Sequence, residues 1–190
     1  MDIKEAKVIL GNEISFIFDF IDPIIKSLNL EKDAKILDVG TGQGRMAILL
    51  ALNNYHVLTG EPQGDDTEYA KRDWLDNAKK VNVDHLIKFV HFNAESMSFE
   101  NETFDAIFLY GALHHINDKN SAFKEFIRTT KLKGVICIIE PNSKGIESMR
   151  KRFPSHPDAV DPRDFAIPYE LSVEIKKNPL FDAFIFKKNA

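Results

Sequence analysis

Apolar residues recur along this chain with two alternating periods. In residues 11–29, "GNEISFIFDFIDPIIKSLN", they fall at Ile14, Ile17, Phe18, Ile21, Ile24, Ile25 and Leu28, the spacing of one helix face. Pro23 lies inside that stripe, where its ring and missing amide kink a helix or divide it. Residues 34–40, "AKILDVG", then form a short apolar run of strand type, and residues 45–54, "RMAILLALNN", have the length and residue types of a helix. The alternation repeats. Residues 56–62 predict a second strand, and residues 65–83 a helix with acids at its start and lysines at its end, as the helix dipole favours. Strands follow at 87–93, 104–110 and 134–140, with a helix at 119–131 that gathers Ala122, Phe123, Phe126 and Ile127 on one face. Strands that alternate with helices imply a parallel sheet covered on both faces.

Beyond Glu140 the pattern changes. Residues 142–153, "NSKGIESMRKRF", read as a short helix, and residues 154–168 as a proline-punctuated loop. Residues 169–177, "YELSVEIKK", alternate strictly, with Tyr169, Leu171, Val173 and Ile175 on one face. With the apolar "FDAFIFKK" after "NPL", they predict an antiparallel hairpin. The expected architecture is an α/β, doubly wound, Rossmann-like sheet of seven strands, five parallel plus a C-terminal antiparallel hairpin, with helices on both faces. At 190 residues one domain over 1–190 is expected, its first thirty residues a helical segment.

Composition narrows the function classes. With 25 basic residues against 29 acidic ones, the net charge of −4 supplies no global positive field for nucleic acid. The N-terminus mixes charged and apolar residues, and no apolar run approaches membrane-span length, so a cytoplasmic chain with neither nucleic-acid nor membrane partner is expected. Cys137 is the single cysteine, which rules out an intrachain disulfide and a multi-cysteine metal site.

The stretch "ILDVGTGQGR" (36–45) is the richest in chemistry. Gly40, Gly42 and Gly44 follow a strand and precede a helix, where missing side chains let backbone approach a ligand and free helix-start amides attract negative charge. A dinucleotide fingerprint, G-x-G-x-x-G, needs a third glycine where this chain has Arg45. Asp38 just before the turn disfavours a pyrophosphate and attracts an ammonium group, so a zwitterionic ligand is expected.

"LDVGTGQGR" resembles the first motif of the class I S-adenosylmethionine-dependent methyltransferases, and the likeness extends from about Ile36 to Glu140. It includes the acid of "VLTGEPQ" about twenty residues beyond the glycines. It also includes "FVHFNAESMSFENETFDAIFLYGALHHI", similar to the family's G-D-A-x-x-L-P-F, F-D and H-H-[IL] elements. The resemblance implies S-adenosyl-L-methionine as cofactor, S-adenosylhomocysteine as product and a small-molecule acceptor. It implies that Gly40 and Gly42 make room for the methionine part, with Asp38 near its amino group, that Gln43 also borders the cofactor, that Glu61 holds the ribose, and that Pro62 lies against the adenine. Asn93 and Ala94 take the adenine-edge positions, with Asn93 replacing the family's usual aspartate by an uncharged acceptor. Tyr110 and Gly111 would face the methyl donor.

Methyl transfer from a sulfonium needs donor and acceptor held in line, not a nucleophilic side chain, so the motif assigns no catalytic residue. His114 and His115 are read either as helix-entry residues with satisfied hydrogen bonds or as part of the acceptor pocket. No metal is expected, because adjacent histidines on one segment diverge and no H-E-x-x-H spacing is present. The basic run Arg150, Lys151, Arg152 reads as a solvated helix end, and the Phe-rich N-terminal helix as a lid, a dimer surface or a plain core helix. Two other functions remain in view: a nicotinamide-dependent oxidoreductase, and a binding module that keeps the cofactor site without transfer.

Overall fold

The computed structural model describes residues 1–64 and 73–188, with side chains throughout except at 12–16. Its contacts gather into two units, Met1–Phe92 and Asn93–Ala190. In the first, Asp2 caps helix α1 (Ile3–Leu10) by accepting from the Glu5 amide while the Glu5 carboxylate accepts from Asp2. Gly11, at φ 92, separates α1 from α2 (Asn12–Ser27). Pro23 neither ends nor divides α2, and Phe18, Ile21 and Ile25 are fully buried along its inner stripe. Helix α2 packs on α3 (Arg45–Leu52), whose residues 46–52 are all buried, as expected of a helix apolar on every side.

Strands β1 (Ile36–Val39), β2 (Val57–Glu61) and β3 (Ile87–His91) run parallel, β2 pairing with both neighbours. Helix α4 (Trp74–Lys80) is the described part of the helix expected over 65–83; residues 65–72 lie outside the described residues. Strands β1, β2 and β3 and helices α2 and α3 thus fall within the stretches that apolar periodicity marks, whereas α1 precedes the N-terminal stripe and the 3-10 turn Asp84–Leu86 comes from no such pattern.

In the second unit β4 (Phe104–Tyr110) leads through a 3-10 turn (Leu113–His115) into α5 (Lys119–Thr129). Strand β5 (Thr130–Pro141) is longer than the apolar run 134–140 because α5 passes into it without a loop, and its pairing with β4 shifts register between Phe104 and Ala106. Helix α6 (Ser143–Arg150) follows, capped by the Asn142 side chain on the Gly145 amide.

The segment expected to be loop contains helix α7 (Arg163–Ala166) and a 3-10 turn (Ile167–Tyr169). Pro162 and Pro168 suit the starts of these short turns, where a proline's missing amide costs nothing. Tyr169 therefore belongs to the turn, and β6 (Ser172–Lys177) starts after Glu170, which sits at φ 47. Strand β7 (Phe181–Lys187) pairs antiparallel with β6 and β5, so the expected hairpin is present. The seven strands form one mixed sheet in the order β3-β2-β1-β4-β5-β7-β6.

Candidate functional site

Strand β1 delivers Asp38 and then the glycine turn. Asp38 is buried among apolar strands, and its Oδ2 accepts from the Thr59 hydroxyl at 2.7 Å. Thr59 and Thr41 hydroxyls lie 2.8 Å apart; with the Thr59 proton committed to Asp38, Thr41 is the donor to Thr59. Burial pushes the Asp38 carboxyl up to about 7; the Thr59 bond opposes this, the nearby Glu61 charge adds to it, and the Ala47 backbone amide opposes it more weakly. Its second oxygen, Oδ1, is buried with no hydrogen-bond partner. A half-used carboxylate in such a place has room in its hydrogen bonding for a further donor.

The turn itself is shaped to be approached. Gly42 stands at φ 48, a conformation that side chains resist, and a Cβ added there would meet nothing within 4 Å. Gly44 is different: at φ 76 it opens α3, and a Cβ would lie 2.8 Å from Trp74 Cβ. Gly42 leaves open space for a ligand, whereas Gly44 lets two helices meet. Glu61, the last residue of β2, is 6% exposed, and its Oε2 accepts from the Gly42 amide at 3.1 Å. Pro62 is exposed directly after it, and Gln43 is half-buried in the turn, its carbonyl accepting from Asn77 at 3.4 Å. A strand-end acid, a half-satisfied buried carboxylate and a turn left open at Gly42 fit a ligand with a sugar at one end and an amino acid at the other.

The second unit holds the remaining expected residues. Asn93 is exposed, and its Oδ1 accepts from the Glu95 amide at 2.9 Å in a tight turn closed by a bridge to Ser96; Ala94 is buried there. Glu95 accepts in turn from the Asp118 amide at the start of α5. Tyr110 ends β4, half-buried and stacked on Phe181 at 5.4 Å, and Gly111 follows at φ 59, donating to the Ile139 carbonyl at 2.8 Å.

The histidines depart from the sequence reading. In the tight 3-10 turn His114 and His115 do not diverge; their rings lie 4.1 Å apart. His156, from the loop after α6, joins them at 5.0 Å from His114 and 5.2 Å from His115. His114 Nδ1 is 2.5 Å from Glu140 Oε2, and Glu140 Oε1 accepts from the Leu113 amide at 2.9 Å. His156 has its acidity raised, chiefly by burial, with His114 and Arg150 adding to this and the Pro157 carbonyl and Glu140 opposing it.

Thr59, Glu140 and His156 were not singled out by sequence. Thr59 and Glu140 carried a faint signal as polar residues in apolar strand runs; His156, in a proline-rich loop, carried none. Arg150 is exposed at the end of α6, as expected of a solvated helix end, and also donates twice to the His156 carbonyl, at 2.9 and 2.7 Å, and once to Asp158.

Residues 37–138 match the family model described as a methyltransferase domain. Over 128 residues, 67% of this chain, the sequence is 25% identical to a demethylmenaquinone methyltransferase of Clavibacter sepedonicus, of which 49% is covered. Over 136 residues, 69% of the chain, it is 26% identical to the 27-O-demethylrifamycin SV methyltransferase of Amycolatopsis mediterranei, of which 48% is covered. The chain thus spans about half the length of these curated relatives. Among solved structures, the PH0226 protein of Pyrococcus horikoshii superposes with a TM-score of 0.74 at 17% identity, covering 94% of this chain and 93% of that one, a likeness of fold.

Proposed function

Because this chain belongs to the class I S-adenosylmethionine-dependent methyltransferases, by the match of residues 37–138 to their domain, we propose that it transfers a methyl group from S-adenosylmethionine to a small-molecule acceptor. The observation that carries this reading is Asp38 Oδ1, buried and unpaired two residues before a glycine turn with open space at Gly42. An ammonium group is the partner that this oxygen lacks, and a nicotinamide dinucleotide brings none there. The names of the two curated relatives, which refer to a quinone and to a rifamycin, support an acceptor of small-molecule size.

The bound cofactor supplies an electrophilic methyl group on a positively charged sulfur. The chain's residues divide the work of holding it. Asp38 attracts the amino group, Gly40, Gly42 and Gln43 admit the methionine part, and Glu61 accepts from the ribose hydroxyls while bracing the turn through the Gly42 amide. Pro62 flanks the adenine. Asn93 and Ala94 would meet its edge, where Asn93 Oδ1 keeps a second lone pair for accepting beside the Glu95 bond. The backbone at Tyr110 and Gly111 would border the methyl donor. Catalysis then rests on alignment of donor and acceptor.

Equilibrium dialysis of the purified chain with labelled S-adenosylhomocysteine, and in parallel with a nicotinamide dinucleotide, tests this; only the former is expected to bind. Glu61→Gln should weaken that binding by about 1 to 3 kcal/mol with an unchanged circular dichroism spectrum. A folded wild-type chain that binds no S-adenosylhomocysteine would overturn the reading. Release of S-adenosylhomocysteine with any acceptor distinguishes an enzyme from a binding module.

A further inference from the structure

Three imidazoles converge in the second unit, and the methyl-transfer reading uses none of their nitrogens. One potential ligand atom from each of His114, His115 and His156 lies within 4.8 Å of the other two. His114 and His156 are buried and His115 is exposed, so the cluster borders solvent on one side only. The decisive atom is His114 Nε2: it is buried with no hydrogen-bond partner, on a side chain only 1% exposed. A buried ring nitrogen left without a donor or acceptor is a cost that a native structure normally avoids.

Neighbouring groups fix which nitrogen is vacant. Glu140, itself 1% exposed, takes the Nδ1 side of His114 at 2.5 Å, while its other oxygen is held by the Leu113 amide. A carboxylate only accepts, so Nδ1 bears a proton toward Glu140, which leaves Nε2 as the nitrogen whose lone pair a metal would take in place of a second proton. This is the carboxylate–histidine arrangement that orients imidazoles toward metals and raises their basicity. His156 repeats it more weakly, its Nδ1 lying 3.3 Å from the Pro157 carbonyl. Arg150 clamps the carbonyl of His156 itself, so the loop that brings the third ring is anchored. The charges around the cluster are the Glu140 carboxylate, which favours a cation, and the Arg150 guanidinium, whose charge is shared with Asp158.

We propose that His114, His115 and His156 form a binding site for a borderline divalent transition metal, Zn2+ being the reference ion, with Glu140 as the positioning residue behind His114. Tetrahedral Zn2+ with bonds of about 2.0 to 2.1 Å needs nitrogens roughly 3.4 Å apart, so the rings close inward by about an ångström on binding. Three nitrogen ligands leave one position open on the His115 side for water or an oxygen of a small molecule. Among the described residues the cluster offers imidazole nitrogens, and the Glu140 carboxylate beside it is already engaged, which selects Zn2+, Co2+, Ni2+ or Cu2+ over the oxygen-seeking Mg2+ and Ca2+.

The experiment uses the full chain without a histidine tag, stripped by a chelator and dialysed, then titrated with Co2+ and afterwards with Zn2+. Expected are the visible absorption of tetrahedral Co2+ at one ion per chain, its displacement by Zn2+, and no displacement by Mg2+. His115→Ala and His156→Ala each alter an exposed or loop position. Both should lower Co2+ affinity at least tenfold, on the order of the losses seen for disturbed metal shells, with cooperative melting retained. Glu140→Gln should lower it by roughly 10- to 100-fold. No stoichiometric uptake by folded wild-type chain overturns the proposal. So does uptake that survives both histidine variants, which would assign the ion to His56, His85 or His91. Neither readout involves S-adenosylmethionine, so the site stands or falls apart from the methyltransferase reading.

Discussion

Asp38 shows how one side chain couples burial, charge and ligand. Its carboxyl, raised from 3.8 to about 7, keeps its proton in the folded chain over a range where the unfolded chain has lost it. Its contribution to stability therefore falls as pH rises from about 4 to 7 and is level above that. Asp38→Asn removes this dependence, so the variant should gain on wild type across that window in urea unfolding without ligand, by an amount on the order of a few kcal/mol. The same variant should lose affinity for S-adenosylhomocysteine, because the ammonium partner is gone. The glycines separate by the same kind of comparison. Gly44→Ala forces a Cβ to 2.8 Å from Trp74 at φ 76 and should cost about 1 to 3 kcal/mol of stability. Gly42→Ala, with nothing within 4 Å, should cost only about 1 kcal/mol yet weaken the ligand, as paired unfolding and dialysis measurements would reveal. Sequence identified Asp38 and the glycines from local spacing. It gave no account of Thr59, whose hydroxyl reaches Asp38 from 21 positions away through the pairing of β1 with β2.

At the scale of elements, periodicity located the strands and the larger helices because each buries one face or one run locally. It was least informative where packing overrides propensity. Pro23 carries no amide, so the Asp19 carbonyl of α2 lacks its helical donor, yet the burial of Phe18, Ile21, Ile24 and Ile25 on both sides carries the helix through. Pro23 is exposed, so Pro23→Ala should stabilise the chain by roughly 1 to 2 kcal/mol, the helix gain exceeding the added unfolded-state entropy. A shift of the urea midpoint at constant slope would measure it. The 3-10 turn after β4 is the other such case, because adjacency on one segment predicts that His114 and His115 diverge. The Leu113 amide is held by Glu140 in that segment, and the two rings lie 4.1 Å apart, tilted to each other by 42°.

For the whole molecule, Cys137 is a built-in reporter. It lies at the centre of β5, fully buried, with burial pushing its thiol up to about 12. A thiol so held is inert in the native state. Thiol-reagent labelling should therefore follow global opening, and saturating S-adenosylhomocysteine should slow it. A ligand at a hundred times its dissociation constant adds about 2.7 kcal/mol to folding stability, so labelling under conditions of rapid closure should slow by roughly a hundredfold. Rapid labelling unaffected by ligand would mean that β5 opens locally. Among the described residues no helix is long and apolar enough to cross a membrane.

The order of strands and helices, the glycine turn and the acid that follows it were decided by the sequence itself. Each depends on side-chain alternation, apolar stripes or backbone freedom within a few consecutive residues. The tertiary structure alone decided which polar groups meet: Thr59 with Asp38 across paired strands, Glu140 with His114 across 26 positions, and His156 with both histidines from a loop clamped by Arg150. Those meetings follow from strand register and loop closure, which fix distances between residues that no local pattern relates.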